Sequence, residues 1–156
     1  MRISLITITY NSDKTLIDTI NSVRNQTYNN IEYIIVDGGS KDQTLKIIDD
    51  NKDIVTHFIS EPDKGIYDAM NKGVNLATGD IVGILNSDDF YANNDVISKV
   101  VNQFNENVDG VYADLNYVDP IDTTKTIRVW KSGKYAEGSF KKGWMPPHPT
   151  FFVKKE

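Results

Sequence analysis

Two adjacent carboxylates, Asp88 and Asp89, follow the apolar run Ile81-Val82-Gly83-Ile84-Leu85 and the polar pair Asn86-Ser87. The run is short, rich in β-branched residues and entered from Thr78-Gly79-Asp80, so it reads as a buried strand and not a helix. Two acids at the end of such a strand repel one another, and burying them without a partner is costly. A divalent cation resolves the conflict. Hard carboxylate oxygens suit Mg2+ or Mn2+, which commonly reach a protein through one or two carboxylates together with substrate phosphates. The chemistry indicated is a metal-assisted site for a phosphorylated ligand. The alternative is a solvated turn that caps the next helix.

The elements that must position these acids are legible as alternating apolar patterns. Strands are expected at 3–9, 31–36, 54–59 and 81–85, with a fifth opening at 110–113. Helices are expected between them. One follows the capping run Asn11-Ser12-Asp13 with Leu16, Ile17, Ile20 and Val23 on one face, and a short one runs through Leu45 and Ile48. Two more are expected at 64–77 and 94–104. Strands alternating with helices of these lengths imply an α/β fold with a mostly parallel sheet covered on both faces. Ligands of such sheets sit beyond the carboxyl ends of the strands. Those ends are Thr9-Tyr10-Asn11, Asp37-Gly38-Gly39-Ser40, Glu61-Pro62-Asp63 and Asn86-Ser87-Asp88-Asp89. Beyond Asp114 the pattern changes to a hairpin within 116–130, turning at Val118-Asp119-Pro120, then a loop over 131–144 and a further strand near Val153.

At 156 residues the chain suits a single domain, 1–156. Its net charge of −5 argues against a nucleic-acid partner held by general electrostatics. The absence of cysteine excludes disulfides and thiolate sites and fits a cytoplasmic protein. No signal-peptide layout is present, and no apolar segment approaches the ~20 residues that span a bilayer. A peripheral role at the inner face of the cell membrane stays open.

The chain resembles the amino-terminal part of the inverting family 2 glycosyltransferases, which have the GT-A, Rossmann-like αβα sandwich. The resemblance runs through Ile6-Thr7-Ile8-Thr9-Tyr10-Asn11, Val23-Arg24-Asn25-Gln26-Thr27-Tyr28 and Ile35-Val36-Asp37-Gly38-Gly39-Ser40-Lys41-Asp42-Gln43-Thr44. It continues through Asp63-Lys64-Gly65-Ile66-Tyr67-Asp68-Ala69-Met70-Asn71-Lys72-Gly73, Thr78-Gly79-Asp80, Leu85-Asn86-Ser87-Asp88-Asp89 and Pro147-His148-Pro149-Thr150-Phe151-Phe152. Each segment alone is weak. Their order within one sheet pattern is specific.

The resemblance implies a nucleotide-diphospho-sugar donor held with Mn2+ or Mg2+. Asp89 is then the metal ligand, and Asp88 contacts ribose or metal. Asn86 stands where an acid is commoner, so hydrogen bonding is assigned to it. Asp37 and Gly38 resemble the base-binding turn, with the Asp37 carboxylate accepting the imide N–H of uracil; a UDP-sugar is favoured, although many relatives carry a second acid at position 38. Thr9 and Tyr10 form the other wall of the base pocket. Lys64 and Asp68, with Asp63, lie where the family contacts the donor, at a helix start whose free N–H groups favour phosphate. His148 is the candidate catalytic or phosphate-contacting residue on the acceptor side. Trp144 and Met145 are candidates for a sugar-stacking floor or for plain packing.

Inversion needs a general base to deprotonate the acceptor hydroxyl. In the family it lies beyond the His-Pro-Thr-Phe-Phe segment, and neither Asp114 nor Asp119 matches its position. The chain is therefore expected to be incomplete at its carboxyl end, retaining donor binding without the base, with self-association covering apolar surface. The acceptor expected of the full enzyme is a glycan or a lipid-linked molecule. Lys131, Lys134, Lys141 and Lys142 could meet a phospholipid-linked acceptor. Two rival readings are a non-catalytic nucleotide-sugar binding module and a sugar nucleotidyltransferase. The latter needs a glycine-rich loop with Arg and Lys after the first strand, where this chain has Thr9-Tyr10-Asn11-Ser12-Asp13.

Overall fold

A computed structural model describes residues 1–155. Strands β1 (Ile3–Thr9), β2 (Ile31–Asp37), β3 (His57–Ser60) and β4 (Ile81–Ile84) are joined by helices α1 (Leu16–Arg24), α2 (Thr44–Asp50) and α3 (Ile66–Leu76). Helix α4 (Val96–Val101) leads to β5 (Gly110–Val111). A hairpin of β6 (Leu115–Val118) and β7 (Thr126–Trp130) follows, and β8 (Phe152–Lys154) closes the described chain. The main sheet has the order β3-β2-β1-β4-β8-β5. Its first four strands are parallel, and β8 enters antiparallel between β4 and β5. This is the mixed, mostly parallel α/β architecture expected from the sequence.

Period-two alternation divides the core between the faces of the sheet. Ile3, Leu5, Tyr33 and Ile35 pack with Leu16, Ile20 and Val23 of α1, Ile48 of α2, and Ile97 and Val100 of α4. Ile6, Ile8, Ile34 and Val36 point the other way and pack with Ala69 of α3 and the adjoining Ala77. Every β1 residue is buried because helices cover both sides. Helix α3 comes close enough that a Cβ on Gly73 would stand 2.3 Å from Ile6 Cγ2. That approach requires glycine.

Several boundaries differ from the sequence expectation. The third strand begins at His57, because the chain leaving α2 turns through Ile54 and joins the sheet only where the Thr56 N–H reaches the Tyr33 carbonyl. Helix α3 starts at Ile66, not Lys64, since Gly65 sits at φ 108°. Helix α4 is shorter at both ends than expected. The hairpin forms, but its connection runs from Asp119 to Lys125; the Asp119 carboxylate accepts the N–H groups of Ile121 and Asp122 and organises the turn.

At the amino-terminal edge of the sheet Glu32 is wholly buried. It accepts hydrogen bonds from the Ser4 hydroxyl and from the Thr78 N–H and hydroxyl, and pairs with Arg2 at 3.2 Å. Burial alone would raise its pKa, but these donors and the Arg2 charge outweigh it and hold the carboxyl at about 2. This network ties β1, β2 and the entry to β4 together, at the end of the sheet away from the strand termini that carry the site.

Candidate functional site

The carboxyl ends of β1 and β4, the start of α3 and the segment before β8 enclose a cleft of about 500 Å3. One wall is Ile8, Thr9, Tyr10 and Ser12. The second is Asp63, Gly65, Ile66 and Ala69, and the third is Asn86, Ser87, Asp88 and His148. Segments far apart in sequence thus converge where a parallel sheet holds its ligand.

Side-chain bonds lock the loops after β1 and β2 to each other. The Asn11 N–H donates to Ser40 Oγ at 2.8 Å, and the Lys41 N–H to Asn11 Oδ1 at 2.8 Å. The Ser12 and Asp13 N–H groups reach Thr44 Oγ1 and Asp42 Oδ2. Asn11 sits at φ 49°, a left-handed geometry that asparagine tolerates. The Ser12 and Ser87 hydroxyls meet at 2.8 Å and fasten the β1 loop to the β4 loop.

Asp37 is wholly buried. Its Oδ2 accepts the N–H groups of Gly39 and Ser40, both at 3.0 Å, and the Ser60 hydroxyl at 2.7 Å, while Oδ1 accepts the Ser40 hydroxyl. A carboxylate occupied in this way builds the turn and does not face the cleft. Asp37 is not among the residues that line the cleft. Gly38 lies at the cleft margin between Tyr10 and Asp63.

Tyr10 presents an open ring, 62% exposed, to the cleft. Thr9 is buried, and its hydroxyl finds no hydrogen-bond partner among the described residues. Asp68 turns back to cap its own helix, accepting the Lys64 N–H at 3.1 Å and facing Lys72 at 3.4 Å. The Lys64 N–H bond, then the Lys72 charge, hold its carboxyl below the ordinary range despite some desolvation. Asp68 and Lys64 therefore shape the α3 start, and neither is among the cleft walls.

Asp88 is exposed in the cleft, and Asp89 is half-buried. The Asn86 amide nitrogen donates to Asp89 Oδ2 at 2.9 Å and stands 3.0 Å from His148 Nε2. Burial pushes the Asp89 carboxyl above its ordinary range. The Asn86 bond opposes that rise, and the Asp88 charge adds to it. The other buried Asn86 atom, Oδ1, has no partner among the described residues.

No cluster of three or more His, Cys, Asp or Glu side chains able to cage a metal occurs among the described residues. The donor set fits a different mode of binding. Two adjacent carboxylates, one of them uncomfortable as a bare anion, suit a cation that takes one or two protein oxygens and completes its shell with phosphate and water.

Beyond β5, Asp114 pairs with Lys131 at 2.8 Å and accepts the Ser132 N–H, so it anchors the hairpin base. Trp144 packs among Tyr112, Tyr135 and Phe140 and donates Nε1–H to the Ser132 carbonyl at 2.8 Å. Met145 is exposed. The sequence reading singled out neither Ser12 nor Ser87, whose mutual bond could not be foreseen from either loop alone.

Comparison with known proteins agrees with this geometry. Residues 4–153 match the model of the family described as Glycosyl transferase family 2. An uncharacterized glycosyltransferase of Haemophilus influenzae is 38% identical over 136 residues, covering 80% of this chain and 54% of that protein. A PGL/p-HBAD biosynthesis glycosyltransferase of Mycobacterium bovis is 35% identical, over 72% of this chain and 46% of its own length. The chain thus spans about half the length, or less, of the curated relatives it matches. Among solved structures, S. aureus TarS 1-349 in complex with UDP-GlcNAc superposes with a TM-score of 0.60 at 27% identity, over 65% of this chain and 30% of that one. The mannosyltransferase PcManGT from Pyrobaculum calidifontis, solved with GDP-Man and Mn2+, superposes with a TM-score of 0.66 at 24% identity, over 79% of this chain and 37% of that one, and shares the fold. With a six-stranded sheet of this order, a cleft at its strand ends and a family match over nearly its whole length, the chain belongs to glycosyl transferase family 2.

Proposed function

We propose that this chain is the donor-binding part of an inverting glycosyltransferase that moves a sugar from a UDP-sugar to a glycan or lipid-linked acceptor, with Mn2+ or Mg2+. The observation that carries the reading is the convergence of Tyr10, Asp63, Asn86, Asp88 and His148 around one cleft, with Asp89 next to Asp88 in the chain and bonded to Asn86. The 27% identical TarS, solved with UDP-GlcNAc, favours a uridine nucleotide.

Asp88 and Asp89 would hold the divalent cation, which supplies Lewis-acid stabilisation to the departing diphosphate. The remaining tasks belong to the chain itself. The start of α3 lines the cleft at Gly65 and Ile66, where the Gly65 N–H is donated to Asp63. Asn86 orients both Asp89 and His148, fixing the wall against which the sugar would lie. His148 Nε2 is engaged by that amide, so a contact to donor or acceptor would use its other edge. Asp114 and Asp119 are committed to the hairpin, which supports a general base supplied from outside the described residues. Among those residues no helix is long and apolar enough to cross a membrane. The exposed lysines at 134, 141 and 142 favour contact with an anionic membrane surface that presents a lipid-linked acceptor.

Calorimetric titration of this chain with UDP, in Mn2+ and then in EDTA, tests the donor site. Binding that requires the metal is expected. Equal affinity in EDTA would contradict the assignment of Asp88 and Asp89.

A further inference from the structure

We propose that Asp63 selects the base of the donor nucleotide and that it selects uracil; this deepens the donor-site reading and rests on it. Asp63 stands in the cleft wall between β3 and α3, and its two oxygens differ. Oδ1 accepts the Gly65 N–H at 2.8 Å, which fixes the rotation of the carboxylate. Among the described residues no group donates to Oδ2. Gly38 sets where Oδ2 lies: a Cβ on residue 38 would stand 2.5 Å from it and 3.3 Å from Tyr10 Cδ2. The lack of a side chain at 38 opens the space that the Asp63 carboxylate fills, beside the edge of the open Tyr10 ring.

A flat aromatic face next to a fixed, free acceptor suits a heterocycle that carries an N–H. The negative charge of Asp63 repels phosphate from this end of the cleft. The diphosphate is left to the cation at Asp88 and Asp89, so the base lies between Tyr10 and Asp63.

A single free acceptor discriminates between bases. Uracil presents one imide N–H between two carbonyls. Cytosine has a bare acceptor nitrogen at that position, which would meet Oδ2 lone pair to lone pair. Guanine presents two neighbouring donors and calls for both carboxylate oxygens, one of which Gly65 already engages. A mismatch of this kind costs roughly tenfold to a hundredfold in affinity.

The test is titration of this chain with UDP, CDP and GDP in Mn2+, for the parent, Asp63→Asn, Asp63→Ala and Gly38→Asp with Asp63→Ala. Melting temperatures establish that each variant is folded. The parent should favour UDP by at least about tenfold. Asp63→Asn keeps an oxygen for the Gly65 N–H but turns an amide donor into the cleft. It should therefore lose UDP and gain CDP, collapsing the ratio. The double variant carries its carboxylate on residue 38 and should recover the UDP preference that Asp63→Ala loses. A folded double variant without that recovery would overturn the claim that both positions reach one point. A parent that binds UDP, with a UDP-to-CDP ratio unaltered by Asp63→Asn, would overturn the role of Asp63 alone. A parent that binds none of the three nucleotides would overturn the donor site itself.

Discussion

Asn86 and His148 lie 62 residues apart in sequence, yet the amide nitrogen of one stands 3.0 Å from Nε2 of the other. The same nitrogen donates to Asp89, so a single amide couples the acidic loop after β4 to the turn before β8. Asn86→Asp replaces that donor with a third anion. Without metal the variant should lose about 1–2 kcal/mol of stability through carboxylate repulsion. Saturating Mn2+ should narrow or reverse the loss. Thermal unfolding with and without Mn2+ measures both, and a metal-induced shift no larger than the parent's would contradict the role given to this loop.

Asp89 makes a prediction with a definite sign. Its carboxyl is held above the ordinary range, first by burial. Ionising it therefore costs the folded state, a cost absent below the unfolded-state value and fully present once the pH has risen through the raised folded value. Metal-free Asp89→Asn should match the parent in acid below the ordinary aspartate value and be the more stable of the two at neutral pH. Mn2+ should stabilise the parent but not the variant. Protons should also displace the metal from the parent at a higher pH than an ordinary aspartate would require. Denaturant midpoints across pH provide the check.

Glu32 has the opposite sign. Its carboxyl drops from 4.5 to about 2 on folding, so its stabilisation is present above 4.5 and lost as the pH falls through about 2. Glu32→Gln should cost about 2–3 kcal/mol near neutrality, because the Arg2 and Thr78 partners lose an anion. The gap to the parent should close towards acid pH. Urea unfolding at a series of pH values reads this, and a gap that stays constant would contradict it.

Gly73 marks the closest approach of α3 to β1. Gly73→Ala drives a methyl into Ile6 and should cost about 1–3 kcal/mol. Ile6→Ala opens the same space at its own expense. The two substitutions together should therefore cost less than the sum of the single losses. Simple additivity in a double-mutant cycle would contradict the contact.

The βαβ order and the placing of Asp88 and Asp89 at a strand end were legible because periodicity and strand termini are local signals. The bonds around Asp37 were not. Its carboxylate is satisfied partly by Ser60, 23 residues away, and no local pattern announces that partner. Glu32 inside an apolar strand gave no hint of the cluster around it, since Arg2 and Ser4 come from the start of β1 and Thr78 from the entry to β4. The strand at β8 was expected, but its antiparallel entry between β4 and β5 depends on pairing that sequence spacing does not encode. The start of α3 was misplaced by two residues because the positive φ of Gly65 is invisible in a helical pattern.

A crystal structure of the chain with UDP and Mn2+ tests the central claim most directly. It should show the uracil ring between Tyr10 and Asp63, with its imide N–H on Asp63 Oδ2, and the diphosphate on Mn2+ held by Asp88 and Asp89. A nucleotide bound outside this cleft, or a diphosphate bound with no metal at those two acids, would contradict it.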